Sequence, residues 1–274
     1  MSTEIQTSYL PQKVNATQIA KLDTVASDFY EICKADSMSP SIAISRAVAM
    51  AQIREMLTPE IMAPIMSLQG SPLGFKTDRD TEKDPATGKR VKGKGYPLDI
   101  VRDVTIFAMS KGAMMINNEV NILAENPYLA KNYFFRKLNE TLGAENWKFQ
   151  HQIPHVIRQG NNITGAIVKT KILWRDSSNK TGEFQEHEIE HAIKGDDYSS
   201  ADAFIGKADR KCGNWLLSNI TGQRFIDGDV DDAIDVKATT VSIDSKTSSK
   251  FTTNTEKKEV KKSEEKTLVY RCLS

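Results

Sequence analysis

The stretches "NITGAIVKTKILWR", residues 162–175, and "EFQEHEIEHAI", residues 183–193, alternate apolar and polar residues with period two and flank "DSSNKTG", a run of turn formers. Period two sends successive side chains to opposite faces of a strand, so the pair predicts a long antiparallel hairpin. On the first strand Lys169, Lys171 and Arg175 share one face, and Ala166, Val168, Ile172 and Trp174 the other. On the second, Glu186, Glu188 and Glu190 oppose His187, Ile189, His191 and Ile193. The glutamate row is expected to face the cations as cross-strand pairs, which weakens those cations as ligands for an external anion.

The second strand contains H-E-x-x-H, "HEIEH", which on a helix would bind zinc and make a metallopeptidase. Two imidazoles four residues apart on a strand are separated by about 13 Å, whereas one zinc ion needs both nitrogens within about 2 Å. The string therefore reads as sheet patterning, and a metal-dependent hydrolase built on His187, Glu188 and His191 is kept as the alternative from another function class. The only other histidines, His151 and His155, flank Pro154 in sequence of no clear period.

Thirty-seven basic against thirty-six acidic residues leave a net charge of +1, so a nucleic-acid partner would require locally segregated charge. No leader pattern stands at the amino end and no apolar run approaches the ~18 residues of a membrane span, so a cytoplasmic protein is expected. Cys33, Cys212 and Cys272 show no C-x-x-C spacing and predict neither a disulfide framework nor a cysteine zinc site.

Residues 15–69 carry helical spacing, for example Ile44, Val48, Ala51, Ile53 and Met56, with breaks expected at Pro59 and Pro64. Residues 76–95 lack an apolar period and hold Lys89, Arg90, Lys92 and Lys94, reading as a loop or exposed hairpin, either solvated or a clamp on phosphates. A helix over 98–111 stops at Gly112, and Asn117-Asn118 signals a hairpin turn. Asn126 and Pro127 are expected to open a helix with Tyr133, Phe134, Leu138 and Leu142 inside, ended by Gly143. Ser199 and Asp202 form a capping-box pattern before an amphipathic helix that carries Lys207, Arg210, Lys211 and Asn214 outside. The acidic run "IDGDVDDAIDV" lacks the Gly and Glu of a calcium loop. Residues 229–274, rich in Ser, Thr, Lys and Glu, read as a disordered charged tail.

Three segments, "DIVRDVTIFAMSKGAMMINNEVNIL" (99–123), "FRKLNETLGAENWKF" (135–149) and "ADAFIGKADRKCGNWLL" (201–217), together with their order, resemble the phage single-strand annealing proteins of the RecT, Red-beta and Erf group and their Rad-type relatives. The resemblance covers about residues 98–228. It implies an α+β fold in which antiparallel hairpins and a small sheet pack on a long amphipathic helix: an N-terminal helical, partly disordered segment (1–37), an annealing core (38–228) and the tail. It further implies a non-catalytic homo-oligomer, a ring or helical filament, that coats single-stranded DNA and pairs complementary strands without ATP or another cofactor. The absence of a G-x-x-x-x-G-K-[ST] string agrees with ATP independence. The tail would recruit a partner exonuclease or single-strand binding protein, or add only non-specific DNA affinity. Matched to the family's basic helix, Lys207, Arg210 and Lys211 become candidate phosphate ligands, with Arg136 and Lys137 beside them. Annealing requires a held backbone and free base edges, so cations and stacking aromatics suffice. Phe135, off the main apolar face, is the candidate stacking platform, and Lys169, Lys171 and Arg175 complete the set. Asp209 interrupts the basic row and Gly213 weakens its helix by about 1 kcal/mol relative to Ala. A single-strand protection module without annealing activity is the nearer alternative.

Overall fold

The computed structural model describes residues 16–34, 39–175, 183–223 and 225. They form a mixed α+β structure of six α-helices and small antiparallel sheets. Helix α1 (Ala16–Lys34) buries Leu22 and Phe29, with Val25 and Cys33 partly covered, a stripe at helical spacing. Helix α2 (Pro40–Met56) opens with Ser39 accepting from Ile42 N and Pro40 at its first position. It buries Ala49 and Ile53 and leaves Ile44 and Val48 exposed, so its inward face is rotated from the expected one.

Pro59 starts α3 (Pro59–Ser67), capped by Thr58. The break expected at Pro64 does not occur: the helix continues through it. Proline forfeits one hydrogen bond there, while Met62 is fully buried and Leu68 N closes the last turn on Ile65 O at 3.0 Å. A short exposed hairpin follows, β1 (Thr81–Lys83) with β2 (Arg90–Lys92). Helix α4 (Leu98–Lys111) ends at Gly112, whose φ of 59° is the left-handed conformation glycine supplies at a helix end.

The hairpin signalled by Asn117-Asn118 lies elsewhere. Both asparagines have φ of 55° and turn the chain into β3 (Val120–Leu123), which pairs with β4 (Asn126–Leu129) across Ala124 and Glu125. Those two residues have φ of 48° and 66°, a conformation costing a non-glycine residue of order 1–3 kcal/mol. Tertiary contacts hold the turn: Ala124 N donates to Asp78 Oδ2 at 3.0 Å and Glu125 N to the Tyr96 hydroxyl at 3.0 Å. Asn126 and Pro127 are consequently strand residues, and α5 (Lys131–Leu142) begins after Ala130. It buries Tyr133, Phe134, Leu138 and Leu142 as expected.

A 3₁₀ turn at Ala144–Asn146 leads into the main sheet. Strand β7 (Asn162–Trp174) is its axis, with β8 (Gln185–Lys194) along one edge, while β5 (Trp147–His151) and β6 (His155–Gln159) share the other. The expected long hairpin is present, with a register from Gly165↔Lys194 to Trp174↔Gln185. Helix α6 (Ala201–Thr221) crosses the inner face. Its cap is Ser200, which accepts from Ala203 N at 3.2 Å, one residue beyond the expected Ser199. Among the described residues no helix is long and apolar enough to cross a membrane. The acidic run from Ile226 and the tail lie outside the described residues.

Candidate nucleic-acid interface

Helix α6 places Phe204, Ala208, Cys212 and Leu216 on one buried stripe. Phe204 and Ala208 meet Ala166, Val168 and Ile193 of the sheet. On its other side α6 lies against α5 at Gly213, where a Cβ would stand 2.7 Å from the Cβ of Phe134. Glycine is required there for close approach, which offsets its helical cost.

Asp209, the anion inside the basic row, points inward. Its Oδ1 lies 2.8 Å from His151 Nε2, its Oδ2 lies 3.6 Å from Lys131 Nζ, and His151 Nδ1 is 2.8 Å from Thr170 Oγ1. This network joins β5, β7, α5 and α6. Nearby, Cys212 Sγ lies 3.5 Å from His191 Nε2, and burial pushes the thiol up to about 12, so it is uncharged at neutral pH.

The histidines of "HEIEH" stand on β8 rather than on a helix. His187 stacks on Trp215, with ring centroids 4.2 Å apart and planes 3° from parallel, and Trp174 meets Trp215 edge-on at 5.7 Å. Among the described residues no three His, Cys, Asp or Glu side chains gather as a metal site would need.

The expected DNA ligands separate into distinct environments. Arg210 is 3% exposed, its guanidinium 4.6 Å from the Tyr128 ring centroid, because its position on α6 faces β4 rather than solvent. Arg136 is held by Glu119 at 2.6 and 2.9 Å, by Glu140 at 2.5 Å and by the Gly112 carbonyl at 2.7 Å. Lys137 pairs with Glu140 at 3.2 Å and lies over the Tyr30 ring. On the outer sheet face Lys169 pairs with Glu190 at 3.4 Å and Lys171 with Glu186 at 2.5 Å, the cross-strand neutralisation expected from the sequence. Arg175 donates to Asn146 Oδ1 at 2.5 Å and sits over Phe184. Phe135 is half-buried edge-on against Trp147 and Phe149, at 5.0 and 5.9 Å, in an aromatic cluster of its own. Lys207 is exposed and donates to the Lys194 carbonyl at 2.9 Å.

Lys169 and Lys171 border a pocket of about 440 Å³ that they share with Glu188 and Glu190, whereas Lys211 borders an open groove with no carboxylate in its lining. The groove, about 420 Å³, runs between the C-terminal half of α6 and β8, lined by Ile189, His191, Lys211, Asn214, Trp215, Ser218, Asn219 and Phe225. It combines a cation, amide and hydroxyl groups and the part of the indole that His187 and Trp174 leave uncovered. Such a surface can hold a phosphate, accept hydrogen bonds and stack a base. The sequence reading placed Asn214 outside the helix but did not single out Trp215, Ser218 or Asn219 as site residues. The signal was there in "NWLLSN", whose polar residues at 214, 218 and 219 fall beside the tryptophan on one helical flank.

Comparison of the chain with protein-family models, with curated proteins and with solved structures gives no match.

Proposed function

We propose that this protein binds single-stranded DNA in the groove between α6 and β8 and anneals complementary strands without ATP, as a homo-oligomer of the RecT, Red-beta and Erf kind. The observation that carries the reading is the groove itself, where Lys211 and Trp215 stand on one flank of α6 beside His191 of β8. A backbone cation next to a stacking ring is the combination that single-strand binding without sequence preference needs. Lys207, one turn earlier on the helix, extends the cationic flank. The core described by the resemblance, hairpins and a sheet against a long helix, is part of this proposal. Protection without annealing would use the same groove, and mixing complementary strands separates the two.

Trp215→Ala is expected to raise the Kd for oligo(dT) about 5- to 150-fold, equivalent to losing roughly 1–3 kcal/mol of stacking. The slope of log Kd against log salt stays unchanged, since no phosphate contact is lost. Fluorescence anisotropy on a variant shown to be folded by circular dichroism checks this. An unaltered Kd would remove the groove from the reading.

A further inference from the structure

We infer that the β1–β2 hairpin is a second nucleic-acid contact, one that grips phosphates of single and double strands alike; the inference rests on the DNA-binding reading above. Residues 81–94 hold five cations, Lys83, Lys89, Arg90, Lys92 and Lys94, against two carboxylates, a net of +3 in a chain of +1. The local segregation of charge that overall composition conceals is therefore here.

All five cations are exposed, and none makes an ion pair among the described residues. By contrast, Arg79, Lys131, Arg136, Lys137, Lys169 and Lys171 each have a carboxylate partner. Of the hairpin's own acids, Asp84 is turned into the loop, accepting from Thr87 Oγ1 at 2.6 Å and Ala86 N at 3.0 Å. Strand register adds a second observation. Lys83 stands directly opposite Arg90, and Thr81 opposite Lys92, so three cations share one face. Like charges directly opposite destabilise a ladder, and a polyanion laid on that face would relieve the repulsion.

The root of the hairpin is fixed, which gives these charges a defined place. Asp78 accepts from the Tyr96 hydroxyl at 2.7 Å, and Arg79 lies 4.3 Å from the Tyr96 ring centroid while pairing with Glu125 at 3.0 Å. At Gly93 a Cβ would come within 2.0 Å of the Arg79 carbonyl, so the returning strand must be glycine to lie against the outgoing one.

Residues 81–94 contain no aromatic side chain. The hairpin can hold phosphates but cannot stack bases, so it has no means of telling a single strand from a duplex. The α6 groove does, because its indole needs an unstacked base. One contact then selects the single strand, and the other retains the annealed product.

The test uses the full chain, oligo(dT) and a duplex of equal length, with Kd measured by anisotropy across a salt series. Neutralising three phosphate contacts in Lys83→Ala/Arg90→Ala/Lys92→Ala should reduce the salt slope by about 2 on the single strand and by about 3 on the duplex. Trp215→Ala should leave duplex affinity as in the wild type. Lys83→Arg/Lys92→Arg should keep both slopes, which shows that charge rather than hairpin folding is read. Unchanged slopes in the triple variant with intact wild-type binding would overturn the hairpin contact and leave the function standing. No binding of either probe by the wild type would overturn both.

Discussion

Arg136→Ala is expected to lower the free energy of unfolding by about 3–5 kcal/mol, the cost of leaving a buried partner charge uncompensated. Glu119 is 2% exposed, and both of its oxygens face the Arg136 guanidinium. Glu119 Oε2 also accepts from Met114 N at 3.0 Å, and Arg136 donates to the Gly112 carbonyl. One residue pair thus ties α5 to the end of α4 and the segment entering β3. Hydrogen bonding to Glu119 raises the pKa of the guanidinium above its ordinary value. Arg136→Lys should recover little, because an ammonium cannot reproduce the bidentate fork. Glu119→Gln/Arg136→Met should recover part of the loss, since the orphaned charge is gone. Urea unfolding measures all three. A loss below about 1 kcal/mol in Arg136→Ala is what a solvated surface pair gives, and it would return Arg136 to the DNA ligands that the sequence suggested.

Phe134→Ala should cost a further about 3–5 kcal/mol in the same assay, the range for truncating a buried aromatic. Phe134 is 1% exposed and packs edge-on against Tyr133 at 5.2 Å and Phe225 at 5.9 Å. Its Cβ is the atom that Gly213 of α6 is shaped to receive. The substitution opens a cavity between α5 and α6, and the helix bearing the groove loses its backing. DNA affinity should hold as long as the variant stays folded. A cost under about 1.5 kcal/mol belongs to sites able to collapse or repack, and would mean that the α5–α6 contact is not the rigid one described.

Periodic segments carried their structure in the sequence, and contact-dependent ones did not. The β7–β8 hairpin was legible because its alternation runs through both strands and the Lys and Glu rows match across the register. Helices α4 and α6 were legible from spacing, and α4 also from its stop at Gly112. The β3–β4 turn was not, since Ala124-Glu125 carries no turn chemistry and depends on Asp78 and Tyr96, about 30–45 residues upstream. Pro127, which looked like a helix opening, follows from the same displacement.

The site divides along similar lines. A row of Lys and Arg on a helix says nothing about which flank faces the sheet, so Arg210 reads like Lys211 although one lies under Tyr128 and the other beside a groove. Ion pairing is also invisible one residue at a time, except across the hairpin, where register could be inferred. Lys89, Arg90, Lys92 and Lys94 were noticed, but their lack of carboxylate partners among the described residues is a fact of three dimensions.

Strand annealing is tested most directly by the rate at which two labelled complementary oligonucleotides pair in the presence of the purified protein, without ATP and with a chelator. Pairing is expected well above the protein-free rate, falling steeply as salt rises because phosphate contacts carry much of the affinity. Tight binding of single strands with pairing no faster than in buffer would contradict annealing and leave a protective coat protein.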